Sequence, residues 1–188
     1  MYVNSTTKKT LCIYLIKFYD KIFTMNPNVT IYTDGACENN PGKGGFGIVM
    51  MYKKQNGEVV QKNISKGFIM TTNNRMELMA VIHSLDLLKK PCEVVLYSDS
   101  KYVVDAINKN WLDNWVKKNW KNASKKPVKN IDLWKKFLEL QSKHNIKFVW
   151  VKGHDENEYN NLCDIMAVKA RQGDNLETDI GFSPENQD

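Results

Sequence analysis

The sequence has few cysteines and no long apolar run near its N-terminus. Its four cysteines, at positions 12, 37, 92 and 163, are far apart and form no Cys-x-x-Cys pair. This spacing argues against a zinc site or a disulfide framework and fits a reducing cytosol. The apolar run at 11–16 has six residues and ends at Lys17, which is too short for a membrane span or a signal peptide. We interpret residues 1–27 as an N-terminal appendage that is expected to be flexible.

Acidic residues are scarce in one part of the chain. The net charge of the 188 residues is +6, and positions 100–152 carry thirteen lysines against four acids. A basic block within a folded domain indicates a polyanionic partner such as nucleic acid, because binding releases the counterions of the phosphates. The alternative is a lysine-rich solvated surface. The balance reverses after position 155, and residues 173–188 are predicted to be a loose acidic tail.

The length suits one domain, which we place at residues 28–172. Strands are predicted at 29–34, 46–52 and 59–69 from β-branched and aromatic residues between turn signals. The glycine-rich segment 42–47 between the first two is interpreted as a hairpin turn. A helix follows, because apolar residues from Leu78 to Leu88 recur at helical spacing.

The second half of the domain alternates between strand and helix. The predicted elements are a buried strand at 93–99, helices at 100–108 and 132–141, a strand at 146–152 and a helix at 159–171. Three meandering strands followed by right-handed crossovers predict an α/β fold with one five-stranded mixed sheet, flanked by helices.

Four acids are placed beside core-forming residues. Asp34 and Asp99 end predicted strands, whereas Glu77 and Asp164 lie in predicted helices. Functional sites in open sheets gather at strand ends, and clustered carboxylates repel one another unless a cation neutralises them. Oxygen ligands of this kind select Mg²⁺ or Mn²⁺. Position alone leaves an ordinary role open for each acid, such as a helix cap or a surface charge.

Residues 109–129 interleave tryptophans with lysines. This basic segment is either a partly buried amphipathic helix with its tryptophans in the core, or a surface that binds a phosphate backbone. We favour binding, because cations beside aromatic faces suit nucleic acid.

Several motifs in sequence order resemble those of bacterial-type ribonuclease H, type 1. They are Thr33-Asp34-Gly35, Thr71-Thr-Asn-Asn-Arg-Met-Glu-Leu78, Ser98-Asp-Ser-Lys-Tyr102, and Trp150-Val-Lys-Gly-His154 followed by Cys163-Asp164. The resemblance extends from about residue 29 to residue 182. Agreement of several separate motifs in one order is far more specific than a single short pattern.

The resemblance implies a ribonuclease H-like fold and metal-dependent cleavage of the RNA strand of RNA–DNA hybrids, with 5′-phosphate and 3′-hydroxyl products. It implies Asp34, Glu77, Asp99 and Asp164 as ligands of two Mg²⁺ ions, with Mn²⁺ as a substitute, and His154 as a proton-handling or product-release residue. The residues that it implies in nucleic-acid binding are Asn40, Thr72, Asn73, Asn74, Trp111, Lys117, Lys118, Trp120, Lys121 and Asn130.

A cytoplasmic monomer without a membrane partner is expected. Two other functions compete with this interpretation. One is another nuclease of the same superfamily, such as a resolvase or an integrase, although these lack the Thr-Asn-Asn-Arg-Met-Glu-Leu motif. The other is a non-catalytic hybrid-binding protein. Four clustered acids argue against it, because their charges would repel the phosphates of a bound hybrid.

Overall fold

The computed structural model describes residues 26–153, 155 and 157–184. The predicted appendage, residues 1–27, lies outside this part of the chain except for Asn26 and Pro27. Along the described residues the elements are β1 (Asn28–Cys37), β2 (Gly42–Lys53), β3 (Val59–Thr71), α1 (Asn73–Asp86), β4 (Glu93–Ser98), α2 (Lys101–Asn108), α3 (Trp111–Lys117), α4 (Ile131–Gln141), β5 (Asn145–Trp150), α5 (Glu158–Arg171) and β6 (Leu176–Glu177).

The strands form one mixed sheet in the order β5-β4-β1-β2-β3-β6. β1, β2 and β3 pair antiparallel, whereas β4 pairs parallel with both β1 and β5. The predicted α/β fold is confirmed. The sheet has a sixth strand that the sequence analysis did not include, and α3 is an additional helix within the basic segment.

Part of the predicted tail is built into the domain. Leu176 and Glu177 pair with Gly67 and Phe68 at the edge of the sheet. Asp179 is buried, and its carboxylate accepts hydrogen bonds from Arg75 Nε at 2.6 Å and Nη2 at 2.8 Å. The expectation of a loose tail is therefore wrong for these residues, because edge pairing and a buried ion pair hold them.

The two faces of the sheet carry different helices. In β2, Phe46 and Ile48 lie on the side of α1, and the Phe46 ring is 5.5 Å from that of His83. The alternate residues Gly45 and Gly47 face α5, where a Cβ atom would strike the helix backbone. The interpretation of 42–47 as a turn is wrong: these glycines lie in a strand and allow a close helix approach.

The larger core lies on the α1 side of the sheet. The side chain of Trp134 in α4 is fully buried and meets Phe137 and Trp115 edge-on, at ring distances of 5.9 and 5.6 Å. Within the described part of the chain, every helix is too short or too polar to cross a membrane.

Candidate active site

Two of the predicted acids stand side by side at one edge of the sheet. β1 and β4 are parallel neighbours in which Thr33 is paired with Ser98. Asp34 is the residue after Thr33, and Asp99 is the residue after Ser98. The register therefore places both carboxylates where the pairing of β1 with β4 ends: Asp99 follows β4, whereas Asp34 lies within β1, which continues to Cys37 along β2. Open α/β sheets commonly place their sites beyond the carboxyl ends of parallel strands.

A glycine brings the third acid to the same place. A Cβ atom on Gly35 would meet the backbone of Met76 and Glu77 at 2.5–2.7 Å, closer than real Cβ contacts allow. The absence of a side chain therefore allows β1 to lie directly against the first turns of α1. As a result, Glu77 lies beside Asp34 although 43 positions separate them in the sequence.

The carboxylates of Asp34, Glu77 and Asp99 each offer an oxygen, and these oxygens lie within 4.8 Å of one another. Asp34 and Glu77 are only 6% and 7% exposed. Asp164 lies in α5, outside this set of three, but its charge is close enough to raise the pKa of Asp34. The structure thus brings three predicted acids together and places the fourth near them.

The cluster is electrostatically unfavourable on its own. Burial, together with the charges of Asp99 and Asp164, raises the pKa of the Asp34 carboxyl to about 8, although a hydrogen bond from Gly35 N–H at 2.7 Å opposes this shift. Burial, with the charges of Asp34 and Asp99, also raises the pKa of Glu77 well above its usual range. A proton or a cation must therefore offset the repulsion between these acids.

A divalent cation fits this donor set. All three groups offer carboxylate oxygens, which Mg²⁺ and Mn²⁺ prefer. Glu77 Oε2 is buried and accepts no hydrogen bond from any described residue. An unsatisfied buried carboxylate oxygen is costly in a protein, and a metal ion would satisfy it.

Metal binding should be coupled to proton release. The Asp34 proton is bound more tightly in the folded chain than in the unfolded chain, where the pKa is 3.8. The free energy of unfolding of the metal-free protein should therefore fall as the pH rises from about 4 to about 8. The affinity for Mn²⁺ should rise over pH 6 to 8 by about tenfold per pH unit for each proton displaced. Calorimetric titration in two buffers of different ionisation enthalpy measures both affinity and proton release. An affinity that stays flat over this pH range would contradict the assigned pKa of Asp34.

The structure links the predicted minor-groove contacts to the acids. Asn40 Oδ1 accepts a hydrogen bond from the Asn73 backbone N–H at 2.8 Å, and Asn73 Nδ2 donates to Glu77 Oε1 at 3.3 Å. Asn74 is exposed next to them, and Thr72 is buried as the N-cap residue of α1. These side chains therefore border the carboxylate cluster. His154, the remaining predicted catalytic residue, lies outside the described residues.

The basic segment, residues 109–129, has one side packed on the core and one side exposed to solvent. Leu112 and Val128 are buried and anchor the segment, and Trp115 and Trp120 pack partly against the core. Trp111 is 41% exposed, with Lys109 Nζ 5.5 Å from its ring centre. Lys117, Lys118 and Lys121 are also exposed. The segment thus has an apolar base and a basic outer surface.

Trp120 has a backbone conformation that is rare for a bulky residue, with φ at 59°. Its N–H donates to the Trp115 carbonyl at 2.7 Å, and its carbonyl accepts from Val128 N–H at 2.9 Å. Lys135 Nζ lies 5.8 Å from its ring centre. The two backbone hydrogen bonds hold this strained residue between the core and the basic surface.

Asn130 is buried, and both ends of its side-chain amide form hydrogen bonds within the protein. Its Oδ1 accepts from Arg75 Nη1 at 3.3 Å, and its Nδ2 donates to the Tyr102 hydroxyl at 3.1 Å. The sequence analysis assigned no role to Arg75, which also pairs with Asp132 and Asp179. Arg75 lies between Asn74 and Glu77 in the motif at 71–78, and this position was the sequence feature that could have indicated a role for it. Through Asn130, this arginine connects α1 to the end of the basic segment.

The RNase H family model matches residues 26–172 of the chain. The chain belongs to the ribonuclease H family. Ribonuclease H from Chlorobium phaeobacteroides is 57% identical over 146 residues, which cover 78% of this chain and 97% of that protein. The sequence-based prediction of a ribonuclease H, a hydrolase with endonuclease activity, is confirmed by this kinship.

Solved structures of the ribonuclease H family have the same fold. LC9-RNase H1, described as a type 1 RNase H with the type 2 active-site motif, superposes with a TM-score of 0.71 at 30% identity, covering 79% of this chain and 74% of its own. LC11-RNase H1 in complex with an RNA/DNA hybrid superposes with a TM-score of 0.55 at 23% identity, covering 77% of this chain and 96% of its own. At that identity the second likeness supports the fold alone.

Proposed function

We propose that the protein is an endoribonuclease that hydrolyses the RNA strand of RNA–DNA hybrids, leaving 5′-phosphate and 3′-hydroxyl ends. The observation that carries this proposal is the meeting of three carboxylates within 4.8 Å at the edge of the sheet, in a member of the ribonuclease H family. The proposed cofactors are two Mg²⁺ ions, for which Mn²⁺ can substitute, held by Asp34, Glu77, Asp99 and Asp164. Such ions, when bound, activate a water molecule and stabilise the charge on phosphate.

The protein's own residues would bind and orient the hybrid. Lys117, Lys118, Trp120 and Lys121 would hold the DNA strand at the basic segment, with Trp111 beside it and Thr72 and Asn130 near a DNA phosphate. Asn40, Asn73 and Asn74 would read the sugars in the minor groove, where 2′-hydroxyls distinguish RNA from DNA. Asn73 also touches Glu77, so the sugar contact lies next to the acids.

His154 would handle a proton or assist product release, because an imidazole titrates near neutral pH. The protein would act in the cytoplasm as a monomer.

The proposed substrate is tested with purified protein and Mg²⁺ on five labelled substrates: hybrid, duplex DNA, duplex RNA and each single strand. Cleavage should occur only in the RNA of the hybrid, and the new 5′ ends should be phosphorylated. Comparable cutting of duplex DNA would favour a resolvase-like enzyme. Tight hybrid binding without cleavage at any metal concentration would favour the non-catalytic alternative.

A further inference from the structure

Asp99 is held by three contacts from the part of the chain that runs from β5 into α5. The Trp150 indole N–H donates to the Asp99 backbone carbonyl at 3.1 Å. Asn160 Nδ2 donates to Asp99 Oδ2 at 3.3 Å. Gly153 lies so close that a Cβ atom there would strike Asp99 Oδ2. Both the backbone and the carboxylate of this acid are therefore fixed by residues far from it in sequence.

Asn160 is well anchored in its own helix. It lies in the first turn of α5, where its backbone N–H donates to the side chain of the N-cap residue Asn157 at 3.0 Å. The helix approaches the sheet closely over Gly47, whose missing side chain makes room for the Cys163 carbonyl. Asn160 is 1% exposed, and it precedes Asp164 by four residues, which places both on one face of the helix.

The chemistry of the carboxylate fixes the orientation of the Asn160 amide. When a cation is bound, the Asp99 carboxylate is ionised and only accepts hydrogen bonds, so the amide nitrogen must face it. The amide oxygen, Oδ1, then points elsewhere; it is buried and accepts no hydrogen bond from any described residue. A buried amide that serves packing alone normally satisfies both ends. The arrangement of Asn160 is better explained by its contact with the acid.

We propose that Asn160 is a positioning residue for Asp99, which holds this carboxylate in the orientation that converges with Asp34 and Glu77 and so sets the affinity of the cluster for a divalent cation. This inference rests on the metal site of the proposed function, but not on the substrate. A hydrogen bond to an ionised oxygen restricts rotation of the side chain. Without this hydrogen bond, the Asp99 side chain loses rotational freedom only when the metal binds, and this entropy cost lowers the metal affinity.

The test compares Asn160→Ala with a matched variant, Asn161→Ala, in the full chain. Asn161 is the next residue of the same helix, and its amide donates to the Asp155 carbonyl at 2.7 Å. The matched variant therefore removes a hydrogen bond to a backbone carbonyl, not one to a side-chain carboxylate. Mn²⁺ binding is measured by calorimetry without nucleic acid. Asn160→Ala should lower the affinity on the order of tenfold, and Asn161→Ala should keep the parental affinity.

Two further measurements separate positioning from a structural defect. Cleavage by Asn160→Ala should approach the parental rate as Mg²⁺ is raised, whereas a loss of folded protein would not respond in this way. If Asn160→Ala does not fold, Asn160→Ser is used, because its hydroxyl is too short to reach Asp99. A folded variant at position 160 with parental Mn²⁺ affinity overturns the inference, as does a parent protein that binds no divalent ion. Failure of the parent to cut hybrid, with weakened Mn²⁺ binding in the variant, would overturn only the proposed function.

Discussion

Replacing Asp34 by Asn should reduce cleavage of hybrid at saturating substrate by at least about 10³-fold, because the loss of a metal-ligating charge removes several kcal/mol of transition-state stabilisation. The change keeps the volume of the side chain, and the amide oxygen can still accept from Gly35 N–H. It also removes one charge from a buried repulsive cluster. The variant should therefore be at least as stable as the parent in EDTA at pH 8, and it should still bind hybrid.

The opposite behaviour is expected when Lys117, Lys118 and Lys121 are changed together to Ala. These exposed side chains lie in the basic segment and do not belong to the carboxylate cluster. The slope of log K for hybrid binding against log salt should shrink by roughly 0.7 to 0.9 for each phosphate that the variant no longer neutralises, and KM should rise while kcat is kept. A matched control changes Lys53, Lys62 and Lys90, which are exposed near the other end of the sheet, and removes the same charge.

Cleavage and salt-dependent binding are measured for the parent and all three variants. A parental cleavage rate in the Asp34 variant would show that the site is assigned wrongly. If the two lysine triples change the salt slope equally, the basic segment contributes only to the net charge and not to a binding surface.

The sequence predicted the strands and helices well where local pattern and tertiary context agree. The strand predicted at 93–99, for example, is found at Glu93–Ser98, where Val94 and Leu96 are buried and the residue between them is partly buried. A continuous apolar run between turn signals suits such a central strand. Gly42–Gly47 was misassigned, since glycine favours turns locally, whereas here Gly45 and Gly47 accommodate the backbone of α5. β6 has two residues, too few to produce any periodicity. Such an element exists only through its pairing with β3.

The same distinction applies to the site. Asp34 and Asp99 could be predicted to converge, because both were predicted to end strands and the ends of neighbouring parallel strands meet at one edge, although β1 continues past Asp34 to Cys37. The convergence of Glu77 depends on the contact of Gly35 with α1, and the resemblance to a family, not the spacing, supplied it. Asn160 was missed because one amide among many carries no pattern. Its position one helical turn before Asp164 was the only local signal, and that spacing gains meaning once the helix is seen to face the acids.

The largest loss of stability is expected from Asp179→Ala. The Asp179 side chain is fully buried and accepts from Arg75 Nε at 2.6 Å and from the Thr71 hydroxyl at 2.7 Å. Arg75 is also buried, and its other ion-pair partner, Asp132, is 45% exposed. Removing Asp179 leaves the buried guanidinium with the half-exposed Asp132 as its remaining ion-pair partner, and it leaves Arg75 Nε without an acceptor. This should cost about 3 kcal/mol, or about 6 to 12 °C in Tm for a protein of this size.

The matched control is Glu177→Ala in the same C-terminal segment. Glu177 forms an ion pair with Lys66 at 2.7 Å, but the two side chains are 53% and 36% exposed. Water screens such a pair, so its loss should cost no more than about 1 kcal/mol. Urea unfolding of both variants and the parent in EDTA measures the difference without a contribution from metal. If the two variants lose equal stability, the C-terminal residues lie on the domain without stabilising it. A much larger loss for Asp179→Ala would show that a residue beyond the matched range 26–172 helps to hold α1, and with it Glu77, in place.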